Sequence, residues 1–180
     1  MKEYNISVLG PQYSEPRMYI SFLETEFNVL AKIIHIKEDS IDRMLQAEIV
    51  IGNNKYVFSS PLHAMWDYEG TYEILLQKCD GVIYVLNTRK DLDYINEKDF
   101  QIFSNLYNRM GLQLPIITLF NDICCGKFVG EYSEYSELLK YVQLNSPVFE
   151  TQIAYFSSEQ CNKKALDSLK CLVQMITLKN

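Results

Sequence analysis

Two nearly uninterrupted apolar runs constrain the fold of this 180-residue chain more than any other feature of its sequence. They are DGVIYVLN at residues 80–87 and LPIITLFN at residues 114–121. Apolar side chains at almost every position are typical of strands that are buried on both faces of a parallel sheet. Between them, EKDFQIFSNLYNRM has the spacing of an amphipathic helix, and Gly111 follows as a favourable helix end. This order predicts a parallel strand–helix–strand unit.

The rest of the chain continues the alternation of strands and helices and adds one hairpin. Residues 46–60 hold two β-rich runs around Gly52-Asn53-Asn54, residue types that tolerate the positive φ of a tight turn. We therefore predict an α/β fold in one domain, residues 1–180, with a six-stranded mixed sheet, one antiparallel strand and helices on both faces. The remaining predicted elements are a strand at 4–10, a helix at 15–30, a short extended piece in AKIIHIKEDS, a helix at 68–79, a helix at 133–144 with Ser133 as its N-cap, a strand at 147–156 and a helix at 163–176.

The charge and cysteine content exclude several classes of protein. The formal net charge is −6 and the pI is about 5.0, so the chain lacks the basic character of a nucleic-acid-binding protein. Its apolar runs are too short to span a bilayer, and the N-terminal residues lead directly into a strand, so we expect neither a membrane span nor a signal peptide. Five cysteines without a C-x-x-C pair and two distant histidines predict reduced thiols and no metal site. We expect a cytoplasmic protein.

The segment GPQYSEPRM follows the first predicted strand, where a phosphate-binding loop would lie. Aligned with the motif G-x-x-x-x-G-K-[ST] on Gly10, the chain has Glu15 for the second glycine, Pro16 for the lysine and Arg17 for the serine or threonine. Proline lacks the N–H that would meet a phosphate, and a carboxylate would repel it. The segment favours an ordinary helix start with Ser14 as a capping hydroxyl. The alternative is that Arg17, shifted by one residue, replaces the missing lysine.

Four longer stretches carry a resemblance to a known family. KYVFSSP followed by YEILLQKCDGVIYVLN resembles the strand ending in D-T-P-G-Q, the next helix and the DGVVFV strand of the MglA and Arf-like GTPases of bacteria and archaea. LPIITLFND resembles their guanine-reading strand, LNSPVFETQIAYFSSEQCNKKALDSLKCLV resembles their last strand and helix, and SIDRMLQAEIVIGNNKYVF resembles their switch I and hairpin. The chain therefore resembles a Ras-like small GTPase, which implies the three-layer fold of P-loop NTPases.

The positions that bind magnesium and the γ-phosphate in that family mostly hold other residues here. The Asp-x-x-Gly motif aligns with SSPL, so Ser59 replaces the aspartate and Leu62 replaces the glycine. His63 stands where the family has the glutamine that positions water. In switch I, Ser40 and Ile41 stand in place of threonines. The resemblance thus implies that magnesium and the γ-phosphate lack their usual ligands.

The guanine-reading positions are altered as well. Asn121 is retained, but Asp122 replaces the lysine and Cys124 replaces the aspartate that accepts two hydrogen bonds from guanine. Asn121 is equally well explained by a structural bond to the backbone of the first loop. The late Ser-Ala motif aligns with Gln152 and Ile153. Five altered motifs on a similar scaffold predict a pseudo-GTPase that is not an enzyme and needs no nucleotide, metal or other cofactor.

A pseudo-GTPase would act through the surface that nucleotide orders in its active relatives. Within SSPLHAMWDYEGTY, the counterpart of switch II, the predicted partner-binding residues are Leu62, His63, Met65, Trp66 and Tyr68. Trp66 is either an aromatic anchor for the partner or a core residue packed against the sheet, and the sequence leaves both open. The resemblance implies a roadblock-fold protein, a response-regulator-type protein or an active GTPase paralogue as the partner.

Two other functions stay open from the sequence. One is a divergent protein that binds GTP or GDP with magnesium and hydrolyses it weakly or not at all, in which Arg17 would reach the phosphates. The other is an unrelated small-molecule enzyme, although no Ser-His-Asp, Cys-His or paired-carboxylate group is identifiable. The folded shape of residues 10–18 discriminates between the pseudo-GTPase and the nucleotide-binding protein. An open loop would hold an anion, whereas a loop filled by side chains would not.

Overall fold

The computed structural model describes residues 1–11, 13–35, 43–62, 68–121, 135–142, 146–151, 153 and 159–179, and strands alternate with helices along them. The strands are β1 (Lys2–Leu9), β2 (Lys32–His35), β3 (Arg43–Ile51), β4 (Asn54–Pro61), β5 (Gly81–Asn87), β6 (Ile116–Asn121) and β7 (Val148–Thr151). The α-helices are α1 (Arg17–Phe27), α2 (Tyr68–Gln77), α3 (Asp93–Arg109) and α4 (Glu159–Lys179), and two 3-10 helices span Lys90–Leu92 and Tyr135–Tyr141. No helix in this part of the chain is both long enough and apolar enough to cross a lipid bilayer.

The seven strands form one mixed sheet in the order β2-β3-β4-β1-β5-β6-β7. β1 is parallel to β4 and β5, and β6 is parallel to β5 and β7. β3 is antiparallel to both of its neighbours, β2 and β4. Of the described strands, β3 alone therefore runs against the rest, which confirms the predicted mixed α/β sheet with one antiparallel strand.

The predicted number of strands, six, is wrong, because the described sheet contains seven. The additional strand is β2, which the sequence indicated only as a short extended piece and which pairs with residues 43–46 of β3. Three of its four residues, Lys32, Ile33 and His35, are exposed. An edge strand of this kind is held mainly by its backbone hydrogen bonds to one neighbour, so its side chains give little periodic signal.

The hairpin and the two central strands lie where the sequence predicted them. Ile51 pairs with Asn54 across a two-residue turn in which Gly52 has a φ of 60°. β5 lies between β1 and β6, and β6 lies between β5 and β7. Every residue of β5 and β6 is buried, as expected for strands that helices cover on both sides.

Helices cover both faces of the sheet, as predicted. On one face, the α1/α4 face, α1 and α4 pack on the sheet through a core that includes Ile20, Leu23 and Leu172. On the other, the α2/α3 face, α2 and α3 pack on it through a core that includes Leu76 and Phe103. The sheet therefore lies between two apolar layers, and its carboxyl edge is left for the connecting loops.

The helix ends agree with the sequence in one case and differ in two. Gly111 ends α3 as predicted, with a φ of 62°, and the N–H groups of Gly111 and Leu112 bond to the carbonyls of Asn108 and Tyr107. α3 begins four residues earlier than predicted, at Asp93. The segment predicted as a helix at 133–144 is a 3-10 helix in its described part, and its predicted N-cap, Ser133, lies outside the described residues.

Candidate functional site

The first loop, residues 10–11 and 13–16, joins β1 to α1 at the edge where the parallel strands end. Ligands of open α/β sheets bind at this carboxyl edge, so the first loop is a candidate ligand-binding site. Two buried asparagines hold it, Asn87 at the end of β5 and Asn121 at the end of β6. The Nδ2 atom of Asn87 donates to the carbonyl of Tyr13, and that of Asn121 donates to the carbonyl of Ser14 at 3.3 Å.

The interior of the first loop is closed by its own atoms. The N–H and the hydroxyl of Ser14 both donate to the carbonyl of Pro11, at 3.1 and 2.7 Å, and Ser14 is fully buried. Gly10 has room for no side chain, since an added Cβ would lie 2.1 Å from the carbonyl oxygen of Val85. A phosphate-binding loop presents its N–H groups to the anion. Here the N–H of Ser14 is bonded within the loop instead.

α1 begins without a side-chain cap. Pro16 occupies the N-cap position, and the hydroxyl of Ser14 bonds inside the loop, so the prediction of a Ser14 cap is wrong. The physical reason is that the turn buries Ser14 away from the helix end. The N–H groups of Met18 and Tyr19 donate to the carbonyls of Glu15 and Pro16, at 2.9 and 3.0 Å. These two donors at the start of the helix are thus used within the chain.

The two charged residues of this helix start are paired with each other. Arg17 Nε donates to Glu15 Oε2 at 2.7 Å, and Arg17 Nη1 lies 3.5 Å from the carbonyl oxygen of Leu62, just after β4. Glu15 has a φ of 53° and Tyr13 a φ of 71°, in the left-handed region that favours glycine, at a cost of about 1–3 kcal/mol each. The loop therefore holds a carboxylate, in a strained conformation, where the aligned motif has glycine.

Every hydrogen-bonding position of the Asn121 side chain is occupied by a partner within the chain. Its Nδ2 donates to the carbonyls of Ser14 and Ile153, both at 3.3 Å, and its Oδ1 accepts from the Thr151 hydroxyl at 3.1 Å and from the Ile153 N–H at 2.8 Å. An asparagine side chain offers two donors and two acceptor positions, so none remains for the edge of a base. This confirms the interpretation in which Asn121 bonds to the backbone of the first loop.

A buried acid lies behind the first loop, and the sequence analysis did not identify it. Asp99 of α3 is 5% exposed, and its carboxyl oxygens lie 3.0 and 3.1 Å from the Tyr72 hydroxyl and 2.8 Å from the Tyr84 hydroxyl. The Tyr72 hydroxyl also accepts the N–H of Gly10 at 3.1 Å. Burial raises the pKa of Asp99 to about 7, against the opposing effect of the two tyrosine hydrogen bonds. The available signal was a carboxylate on the same buried stripe of α3 as Phe103.

A second polar contact, also missed, fixes α3 to the carboxyl end of β5. Asn96 Nδ2 donates to the carbonyl of Asn87 at 2.8 Å, and Asn96 Oδ1 accepts the N–H of Asn87 at 3.2 Å. The Asn87 side chain is the one that holds the first loop. Hydrogen bonds from two asparagine side chains, Asn96 and Asn87, therefore connect α3 to β5 and β5 to the first loop.

Most of the predicted partner-binding residues lie outside the described residues. This applies to His63, Met65 and Trp66, and the description of Tyr68 is limited to its backbone position at the start of α2. Leu62 is half-buried after β4, and its N–H donates to the carbonyl of the first residue of β3 at 2.9 Å. Partner binding by these residues stays a prediction.

The aligned magnesium and guanine positions are described in part. The hydroxyl of Ser59 accepts from Gln46 Nε2 at 3.1 Å, across β3 and β4. Among the described residues, no three His, Cys, Asp or Glu side chains are grouped as a metal ion would require. The predicted absence of metal and nucleotide stays a prediction. The aligned positions outside the described residues are Ser40, Ile41, Asp122, Cys124 and Gln152.

No protein-family model matches the chain, and no curated protein matches it. The resemblance to the MglA and Arf-like GTPases therefore stays a prediction. The strand order supports an α/β fold of the Rossmann or P-loop-like type.

Proposed function

We propose that the chain is a nucleotide-independent pseudo-GTPase that acts as a protein-binding, regulatory module. The observation that carries this proposal is the filled first loop. Buried Ser14 closes its interior, and the Glu15–Arg17 ion pair stands at its end, where the aligned motif would bind phosphate.

The strand order supports the small-GTPase-like part of the proposal. The resemblance implies a parallel sheet with a hairpin between the first helix and the second parallel strand. In the described sheet the β3–β4 hairpin lies on one side of β1, with β4 parallel to it, and β5 lies on the other side. The edge strand β2 is an addition to the six strands that the resemblance implies.

Electrostatics supports the loss of nucleotide binding. A phosphate at the first loop would meet the carboxylate of Glu15, and like charges about 4 Å apart repel by roughly 4 kcal/mol at an effective dielectric of 20. Arg17 could offset this repulsion only by giving up its ion pair with Glu15, in which the two side chains lie 2.7 Å apart. If Arg17 turned toward a phosphate, Glu15 would be left unpaired beside that phosphate. This disfavours the alternative function, nucleotide binding through Arg17.

A contact within the chain supports a partner surface that works without nucleotide. In active relatives the γ-phosphate holds the switch loops, and Leu62 aligns with the glycine whose N–H would meet it. Here Arg17 Nη1 lies 3.5 Å from the carbonyl oxygen of Leu62. This contact links the start of α1 to the start of the switch II counterpart, residues 61–72. We infer that it takes the role of the phosphate contact and that a partner protein of one of the three expected kinds reads the resulting surface.

Nucleotide titration tests the proposal. The chain is mixed with GTP or GDP, with and without magnesium, and its melting temperature is measured. A ligand at 100 times its dissociation constant would stabilise the fold by about 2.7 kcal/mol, a shift of roughly 5–10 °C for a chain of this size. We expect no shift at millimolar nucleotide.

The variant Arg17→Ala distinguishes the two nucleotide hypotheses. If wild type shows an upward shift that Arg17→Ala loses, the alternative function is correct and the pseudo-GTPase proposal fails. If neither protein shifts, the result agrees with the proposal.

A further inference from the structure

A cleft opens between the first loop and α3, with a volume of about 280 Å³. Pro11, Ile95 and Ile102 form its apolar wall, and the side chains of Tyr13 and Tyr94 line it while remaining 49% and 67% exposed as residues. This volume lies just below the range of roughly 300–1,000 Å³ that holds drug-sized ligands. The cleft therefore has room for a ligand about the size of one substituted ring.

Asp99 is also part of the lining, and two tyrosine hydroxyls hold its carboxyl group. The Tyr84 hydroxyl lies 2.8 Å from Asp99, the Tyr72 hydroxyl lies 3.0 Å from Asp99, and the Tyr72 hydroxyl lies 3.0 Å from the carbonyl oxygen of Gly10. The Tyr72 hydroxyl also lies 3.1 Å from the second oxygen of Asp99, so both carboxyl oxygens are within hydrogen-bonding distance of a tyrosine. Burial raises the pKa of Asp99 to about 7, although the two tyrosine hydrogen bonds oppose the rise, so the neutral acid predominates at pH 6.

The charges around Asp99 leave the cleft cationic in that state. The groups that face Asp99 are the hydroxyls of Tyr72 on α2 and Tyr84 on β5, which are neutral, and its neighbour on the cleft lining is Lys98 of α3. Lys98 is exposed, and within the described part of the chain it forms no hydrogen bond or ion pair. Its ammonium group is therefore available to a ligand.

We propose that this cleft binds a small aromatic carboxylate. The carboxylate accepts a charge-assisted hydrogen bond from Lys98, and the ring packs on the isoleucines and between the two exposed tyrosines. A cationic ligand of the same size is repelled by Lys98, and a neutral one lacks the charge-assisted bond. The site does not depend on whether the first loop has lost nucleotide binding.

The pH dependence of binding follows from Asp99. Burial raises its pKa to about 7, so the neutral acid is largely replaced by a carboxylate between pH 6 and pH 8. A negative charge on the lining opposes a negative ligand, and binding is expected to weaken by up to about tenfold over this interval. Asp99→Asn keeps a neutral donor at this position and should give affinity that does not change with pH.

Calorimetric titration with benzoate, benzamide and benzamidine at pH 6 tests the site, because the three probes share one ring and differ in charge. We expect benzoate to bind most tightly and benzamidine least. Lys98→Met keeps the aliphatic stem and should weaken benzoate binding by at least about tenfold. Lys78→Met removes an exposed lysine just after α2 and is the matched control, which should bind benzoate like wild type.

Lys98→Glu gives a second test with the opposite sign, since benzamidine should then bind more tightly than benzoate. The proposal is overturned if no probe binds wild type at up to about 10 mM, or if benzamidine equals benzoate on wild type. It is also overturned if both Lys98 variants, shown to be folded by circular dichroism, bind benzoate as wild type does. If the affinity of wild type for benzoate stays constant from pH 6 to pH 8, the assignment of Asp99 as a neutral acid that loses its proton over this interval is overturned.

Discussion

The two faces of the sheet bury different kinds of polar side chain. On the α1/α4 face, the hydroxyl of Tyr19 meets Ser168 at 3.2 Å and the Ala165 carbonyl at 3.3 Å, so the polar groups buried between these helices are uncharged. On the α2/α3 face, Asp99 is buried, and it is the only buried Asp, Glu, Lys or Arg among the side chains that the structure describes. The uncharged groups of the first face stay uncharged between pH 5 and pH 8, because burial raises the pKa of Tyr19 above its ordinary value of 10. The second gives up stability at neutral pH and gains a titratable group beside the first loop.

The largest expected effect is on the α1/α4 face. Leu172→Ala empties a fully buried position of α4 and should lower the free energy of unfolding by about 2–5 kcal/mol, equally at pH 5 and pH 8. Urea denaturation at both pH values measures it. Leu178→Ala, on the same helix but 88% exposed, is the control and should change stability by less than about 0.5 kcal/mol. Equal losses in the two variants would show that α4 is not docked on this face.

The next effect belongs to the α2/α3 face and depends on pH. Because the folded-state pKa of Asp99 is raised from 3.8 to about 7, the folded chain binds more protons than the unfolded chain between these values. Its stability therefore falls as pH rises through this window, by about 1.4 kcal/mol per pH unit. Asp99→Asn removes this loss. The stability of the variant relative to wild type should increase by about 3 kcal/mol from pH 5 to pH 8.

Urea denaturation across the same pH range measures this change. Asp167→Asn changes an exposed acid on α4 and is the control from the other face, which as a surface substitution should change stability by less than about 0.5 kcal/mol. If the stability difference between Asp99→Asn and wild type does not change with pH, Asp99 is not the titrating group that separates the two faces.

A third effect concerns the segment just before α2. If Trp66 anchors a partner, Trp66→Ala should weaken partner binding by about 2 kcal/mol or more, roughly thirtyfold in affinity. A pull-down followed by titration with the captured partner measures it, after circular dichroism confirms folding. Leu30→Ala removes an exposed apolar side chain at a distant position in the chain and should leave affinity unchanged. A folded Trp66→Ala with wild-type affinity contradicts the anchor, and a variant that does not fold identifies Trp66 as a core residue.

The smallest effect compares one hydroxyl on each face. Tyr72→Phe leaves both backbone groups of Gly10 and the carboxyl of Asp99 without the hydroxyl, and should cost about 2 kcal/mol. Tyr19→Phe removes two longer, uncharged contacts, to Ser168 and to the Ala165 carbonyl, and should cost about 1 kcal/mol. Urea denaturation at pH 7 measures both. A larger loss in Tyr19→Phe would reverse the comparison between the faces.

The sequence by itself determined the α/β class, the two central strands and the hairpin. Each of these depends on local information, because burial on two faces requires continuous apolar residues in β5 and β6, and a tight turn requires a residue such as Gly52. The replacement of the motif residues by Glu15, Pro16 and Arg17 could also be read from the sequence. This replacement is the part of the pseudo-GTPase proposal that the sequence supplies.

Only the tertiary structure decided the roles of the polar residues. The seventh strand, β2, forms because its four residues, three of them exposed, find backbone partners on β3, and no periodicity marks such an edge. Ser14 bonds inside the first loop instead of capping α1. The side chain of Asn121 forms all of its hydrogen bonds with Ser14, Thr151 and Ile153. Asp99 titrates near neutral pH because packing buries it, and the hydroxyls of Tyr72 and Tyr84 only partly oppose the rise in its pKa. Distances between residues far apart in the chain fix these roles, and sequence spacing does not encode them.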